Sequence, residues 1–211
     1  WKVRRRSVEH LIGELRSVLD RRPDIAYFNL HDDCFLACPL DHLRRFCEAY
    51  KKTIGRPFIA RTAPAYVTPE RLALLKDAGL AWISVGLQSG SDRVCREVYC
   101  RRSTQEQFLA AARLIHEFKI AAFYDFIFDN PWESREETLE TVSAIMAIPR
   151  PFHAELFSLV FYRGTTLRER AEKEGIPIRE DPNQKDFFIL HRRRVNDLAE
   201  TAVNFPLILM R

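Results

Sequence analysis

Ile83-Ser84-Val85-Gly86-Leu87-Gln88-Ser89-Gly90-Ser91 is the stretch that decides the fold of this chain. Trp82–Leu87 is strand-like, and Gln88–Asp92 breaks into turn-forming residues. Gly86 and Gly90 permit close backbone approach and positive φ. Ser91 and Asp92 suit the cap of a following helix, whose N-terminus favours an anion such as a carboxylate. A strand that runs through a polar turn into a helix is the repeating step of a parallel α/β fold.

The same step recurs on both sides. Upstream, Ser7–Arg21 places Val8, Leu11, Ile12, Leu15, Val18 and Leu19 on one helical face. Ile25–Leu30 follows as a short strand. Asp41–Ile54 is helical with Leu43, Phe46, Cys47 and Tyr50 inward, and Gly55 suits its C′ position. Phe58–Thr62 is a strand, and Thr68-Pro69 caps and opens the helix Glu70–Ala78. Downstream, Thr104-x-x-Gln107 opens a helix to about Phe118. Ile120–Phe128 is a strand. Ser134-x-x-Glu137 caps a helix with Leu139, Val142, Ile145 and Met146 apolar. Ala154–Phe161 is the last strand, followed by a helix from Thr165 to Glu174. Five strands alternating with helices predict a parallel sheet with right-handed crossovers. Periodicity alone fits an open doubly wound sheet and a barrel equally well. After Gly175, Pro177–Asp186 reads as a loop and Val195–Val203 as a helix.

The chain has 211 residues, 46% of them apolar, which fits one domain with a short appendage. The longest apolar run, Ala154–Tyr162, is broken by Glu155 and Ser158 and falls far short of the ~20 residues that span a bilayer. Trp1–Arg6 is basic without an apolar stretch behind it, so no signal peptide is expected, and a cytoplasmic protein is. The net charge of +4 is mild. Arginines cluster at Arg4–Arg6, Arg101–Arg102 and Arg192–Arg194, but acidic runs interrupt them, so nucleic-acid binding is not indicated. The five cysteines read as reduced packing thiols.

Ligand sites of parallel α/β folds lie at the C-terminal ends of the strands. Five polar stretches fall there: His31-Asp32-Asp33, Arg61-Thr62, Gln88–Ser91, Asp125 with Asp129-Asn130-Pro131, and Tyr162-Arg163-Gly164. Polar groups there are costly to bury without a partner, so they point to a polar small-molecule ligand. Asp125 interrupts the apolar strand Phe123–Phe128 and needs a cation or a ligand.

Four segments, in this order, resemble landmarks of radical S-adenosylmethionine (SAM) domains. They are Arg6-Ser7-Val8-Glu9 with its helix, Ile83–Ser91, Asp125–Ser134, and Phe161-Tyr162-Arg163-Gly164-Thr165-Thr166-Leu167. The likeness covers residues 4–176 and is greatest to the subgroup that often carries an upstream cobalamin-binding domain. It implies an α/β fold, a partial parallel (β/α)6 TIM-like barrel without its first strand and cluster loop. Residues 1–176 would be that barrel and 177–211 a C-terminal loop and helix extension. The resemblance also implies reductive cleavage of SAM to a 5′-deoxyadenosyl radical, or cobalamin-assisted methyl transfer, on an unread small-molecule or peptide substrate. The cofactors would be SAM, a [4Fe–4S] cluster and, for that subgroup, cobalamin. The electron donor would be a reductant such as flavodoxin or ferredoxin.

By the resemblance, Gln88 contacts SAM with Ser89 assisting. Arg101 pairs with the SAM carboxylate, Asp125 lies near the nucleoside, and Asp33 helps at the exit of the family's second strand. The pattern departs at Asp129-Asn130-Pro131-Trp132, where the family has Gly-Leu-Pro-Gly, and at Arg163-Gly164, where it has Pro-Gly. These changes are expected to bring charge and bulk to the barrel mouth. The family's CxxxCxxC cluster loop is missing, and Cys34, Cys38 and Cys47 lack its spacing. No metal ligand is assigned, and the cluster cysteines are expected shortly before Trp1, leaving these residues inert by themselves. The alternatives are a degenerate barrel that binds a nucleotide-like ligand or partner protein, and an unrelated lyase- or aldolase-type barrel. The latter calls for a lysine at a strand end, and none is evident.

Overall fold

The computed structural model describes residues 5–178, so the expected helix at Val195–Val203 lies outside the described residues. Helices and strands alternate in the order α1 (Val8–Arg21), β1 (Phe28–Leu30), α2 (Leu40–Thr53), β2 (Phe58–Thr62), α3 (Pro69–Ala78), β3 (Leu80–Gln88), α4 (Asp92–Glu97), α5 (Gln105–Glu117), β4 (Ala121–Phe128), α6 (Arg135–Met146), β5 (His153–Ser158) and α7 (Thr166–Lys173). The strands form one parallel sheet in the order β1-β2-β3-β4-β5. In its registered pairs, Asn29 lies opposite Ile59 and Thr62 opposite Val85. A doubly wound sheet reverses its strand order at a switch point. This order never reverses, so the winding is that of a partial (β/α) barrel.

Two strands are shorter than their apolar runs, because a strand ends where its neighbour's backbone ends. Phe28 N–H donates to the Pro57 carbonyl, and β2 starts only at Phe58, so residues 25–27 have no ladder to join. β4 stops at Phe128 because Asp129 turns into the left-handed region (φ 60°). Leu159 N–H still reaches the Phe128 carbonyl at 2.8 Å, and the chain beyond it leaves the sheet.

The chain divides into two compact units. The first comprises Trp1–Gly86, Glu106–Tyr124 and Ile148–His153. Its core is built on α2, whose Leu43, Phe46, Cys47 and Tyr50 recur at helical spacing and are all buried. The Tyr50 ring meets Phe58 at 4.9 Å and Phe46 at 5.4 Å between centroids. Thr68 caps α3 by accepting the Arg71 N–H, and Gly79 (φ 108°) ends it. The Arg71 guanidinium donates to the Leu36 and Cys38 carbonyls at 2.6 and 2.9 Å, tying down the 3-10 turn after β1.

The second unit comprises Leu87–Gln105, Asp125–Ala147 and Ala154–Arg211. In α6 the Ser134/Glu137 capping box forms as expected. Thr141, Ala144 and Ile145 are inward, whereas Leu139 and Met146 are 47% and 54% exposed. A hydroxyl is turned inward in place of a leucine because it has a buried partner, the Gly90 N–H.

The Tyr50 hydroxyl is buried with no hydrogen-bond partner among the described residues, and burial raises its pKa. A buried unpaired hydroxyl costs roughly 1–3 kcal/mol. Tyr50→Phe is therefore expected to raise stability by about 1 kcal/mol, read as a higher urea midpoint at unchanged slope. A fall in the midpoint would show that the hydroxyl has a partner.

Candidate functional site

The site is built on the exit of β3 in the second unit. Gln88 is its last residue, 8% exposed and left-handed at φ 76°. The next residue, Ser89, is fully buried. Its hydroxyl donates to Glu133 Oε1 at 2.5 Å and accepts the Ser91 N–H at 3.1 Å. Both capacities of that hydroxyl are thus engaged inside the protein. A Cβ on Gly90 would lie 2.5 Å from backbone atoms of Glu140 and Thr141, so only glycine fits there. The Gly90 N–H donates to Thr141 Oγ1 at 2.7 Å. Ser91 caps α4 by accepting the Val94 N–H, and its hydroxyl donates to Glu137. The buried Cys95 thiol donates to the Ser89 carbonyl at 3.2 Å.

Two carboxyl groups in this network have opposite electrostatics. Glu137 receives two bonds of 2.7 Å from the Arg93 guanidinium, which hold its pKa down at about 2. Glu133 is raised, first by burial and further by the Glu137 charge, while its bond from Ser89 opposes the shift.

The other expected site residues are more dispersed. Arg101 follows α4 with an exposed side chain, and its positive charge acts on Cys95 and Tyr99. The Tyr99 hydroxyl lies against the buried Asn130 amide, and burial raises its pKa. Asp125 is half-buried in β4, alternating with the buried Tyr124 and Phe126. Asp33 belongs to the first unit, where it is exposed after β1. There it lines a cavity of about 590 Å3 with Arg5, Arg6, His31, Asp32 and Tyr66.

Among the described residues no three His, Cys, Asp or Glu side chains gather as a metal site. The Cys47 thiol is pushed up to about 12, chiefly by burial, which disfavours the thiolate a metal needs. Cys38 is also raised by burial, and Cys34 Sγ accepts the Ala63 N–H.

Glu133, Thr141 and Arg93 were not picked out as site residues by the sequence. Thr141 could have been suspected as a polar residue one helical turn beyond Glu137, on the inward side of α6. Glu133 is visible only as the last polar residue before the Ser134 cap. Its partner lies 44 positions away.

Comparisons with known proteins agree with this architecture. Residues 1–144 match the sequence profile of the radical SAM superfamily. The chain is 26% identical over 142 residues to the heme chaperone HemW of Mycobacterium tuberculosis, covering 67% of this chain and 35% of that protein. Among solved structures it resembles a radical SAM methyltransferase, TsrM, from Kitasatospora setae, with cobalamin and a [4Fe–4S] cluster bound. The TM-score is 0.67 at 18% identity, over 84% of this chain and 36% of that one. It also resembles a cobalamin-dependent SAM radical enzyme, OxsB, with aqua-cobalamin and SAM bound. Here the TM-score is 0.59 at 21% identity, over 79% and 25% of the two chains. At such identities the structural likeness is one of fold. The chain spans about a third of the curated relative.

Glu137 and Glu133 predict opposite pH responses. A depressed carboxyl stabilises the fold above its unfolded value near 4.5, and that contribution is lost as pH falls towards about 2. A raised carboxyl works the other way, and stability falls as pH climbs from 4.5 through the raised value. Urea melts across pH 2–8 should show Glu137→Gln flattening the acid limb and Glu133→Gln flattening the opposite slope. Unchanged limbs would contradict the assigned environments. Gly90→Ala should cost about 3 kcal/mol or more in the same melts, since backbone must move to admit a methyl.

Proposed function

Because the chain belongs to the radical SAM superfamily, we propose that it forms the SAM-binding part of a radical SAM enzyme. The observation that carries this is the β3 exit, where a buried glutamine is held left-handed next to a hydrogen-bonded polar turn. Strain of that kind persists where the surroundings over-determine it, and it collects at ligand sites.

The donor set suits SAM, which presents a carboxylate, an ammonium, a sulfonium and ribose hydroxyls. Arg101 supplies an exposed cation for the carboxylate. Gln88 supplies an amide that both donates and accepts. Asp125, half-buried in β4, supplies an acceptor for ribose hydroxyls or the ammonium. Ser89 acts from behind, because its hydroxyl is committed to Glu133 and Ser91. Asp33 is proposed as a further acceptor in the first unit, on its own cavity.

With a [4Fe–4S] cluster bound, the chemistry supplied is one-electron reductive cleavage of SAM. All five cysteines fall within the described residues and form no ligand set there. The cluster ligands are therefore proposed to come from outside these 211 residues. The share of these residues is to bind SAM, orient it and keep its surroundings poor in water. Cobalamin and methyl transfer are proposed on the likeness to TsrM and OxsB. The proposed electron donor is a small reductant protein, and the proposed compartment is the cytoplasm. Because these cysteines supply no cluster site, a second reading is a barrel that binds a nucleotide-like ligand without radical chemistry.

Anaerobic reconstitution of the protein expressed from its whole gene, with iron, sulfide and reductant, separates the two. The expected outcome is 5′-deoxyadenosine or methyl transfer from SAM. A reduced, cluster-loaded sample that yields neither would refute the enzyme reading. Gln88→Ala and Arg101→Ala should each weaken SAM binding about tenfold, the equivalent of ~1.4 kcal/mol.

A further inference from the structure

We propose that Glu133 is a positioning residue, which through the Ser89 hydroxyl holds the left-handed backbone of Gln88 and so fixes where that side chain leaves the sheet. The proposal rests on the SAM-site reading above for the identity of the ligand.

Gln88 at φ 76° has a Cβ in a region that costs an ordinary residue roughly 1–2 kcal/mol. The residues flanking it are pinned. The Cys95 thiol donates to the carbonyls of Leu87 and Ser89, at 3.4 and 3.2 Å. The Gly90 N–H is held by Thr141 at 2.7 Å. Ser89 is the link between these anchors, and its hydroxyl has two acceptors to choose from. Glu133 Oε1 lies at 2.5 Å and Thr141 Oγ1 at 3.4 Å. By accepting the Ser89 O–H, Glu133 fixes the direction of that hydroxyl, while Thr141 Oγ1 accepts the Gly90 N–H and donates to the Glu137 carbonyl. Without Glu133, the serine hydroxyl would lose its short bond and keep only the 3.4 Å contact to Thr141. The turn would then relax, and Gln88 with it.

Glu133 is an expensive choice for this task. A part-buried carboxyl loses solvation, and the nearby Arg93 directs its bonds to Glu137 and the Trp132 carbonyl. No hydrogen bond from a cation to Glu133 is found among the described residues. A purely structural acceptor could be a backbone carbonyl at lower cost. A strong acceptor beside a strained residue fits a role in holding that residue for a ligand.

The test uses the protein expressed from its whole gene, reconstituted anaerobically. SAM affinity is measured by calorimetry, and amide hydrogen exchange is followed without SAM. Glu133→Ala is expected to weaken SAM binding about tenfold. Glu133→Gln should stay within threefold of the parent, because its amide oxygen still accepts from Ser89. In a Gln88→Ala background, Glu133→Ala should add no further loss. Losses that multiply in the double variant, or a Glu133→Gln as weak as Glu133→Ala, would overturn the proposal. In the ligand-free arm, Glu133→Ala should speed exchange at Gly90 and Ser91 and leave β1 and β2 unchanged. Unchanged exchange at the turn would also overturn it. If the parent protein fails to bind SAM, the SAM-site reading falls, and the exchange arm alone decides whether Glu133 holds the turn.

Discussion

A single missing methyl group organises the second unit. Because Gly90 has no Cβ, the backbone of α6 at Glu140–Thr141 comes directly against the β3 exit. That approach puts the Thr141 hydroxyl on the Gly90 N–H and fixes the rotation of the helix about its axis. The rest of the helix follows from that rotation. Glu137, one turn earlier, meets Ser91 and Arg93, while Leu139 and Met146 face outward despite their apolar character. A tertiary hydrogen bond has overridden the helix's own apolar pattern, as tertiary context does when a buried backbone donor must be satisfied. The same contact brings the connection before α6 close enough for Glu133 to reach Ser89.

Features governed by neighbours in sequence were legible in the sequence. The caps at Thr68 and Ser134, the stop at Gly79 and the inward face of α2 all depend on residues within about one helical turn. Features governed by neighbours in space were not. β1 and β5 read too long because their ends are set by Pro57 and Asp129, which bound the adjacent strands. The inward face of α6 carries Thr141 because its partner is Gly90, 51 positions away in sequence. For the site, Gln88, Ser89 and Asp125 are polar groups at or near strand ends and Arg101 comes from the family resemblance; these four fall in one unit, and Asp33 falls in the other. What sequence could not show is that Ser89 faces inward to Glu133. A serine in a turn carries no mark of which carboxyl it will meet.

The segment after β4 departs from the family pattern. In sequence, Asp129 and Trp132 add charge and bulk to the barrel mouth where the family has glycines. In the structure both are drawn into internal ties. Asp129 accepts from the Ser158 hydroxyl. The Trp132 indole donates to Glu174 at 2.5 Å, its ring meets Phe161 edge-on, and the Arg170 guanidinium lies 4.4 Å from its centroid. These contacts fasten the β4–α6 connection to α7. A Gly→Trp replacement used this way stiffens a loop, so the chemistry of Trp132 by itself says little about the substrate.

The charge balance beside Gln88 follows from the reach of one arginine. Glu133 and Glu137 are four residues apart and compete for the same cation. Among the described residues Arg93 gives two hydrogen bonds to Glu137 and none to Glu133, so the first carboxyl is pulled down and the second is raised by burial. Burial and the neighbouring Glu137 charge push the Glu133 carboxyl up, while the bond from Ser89 and the Arg93 charge oppose that shift, so the two glutamates differ because one arginine reaches only one of them.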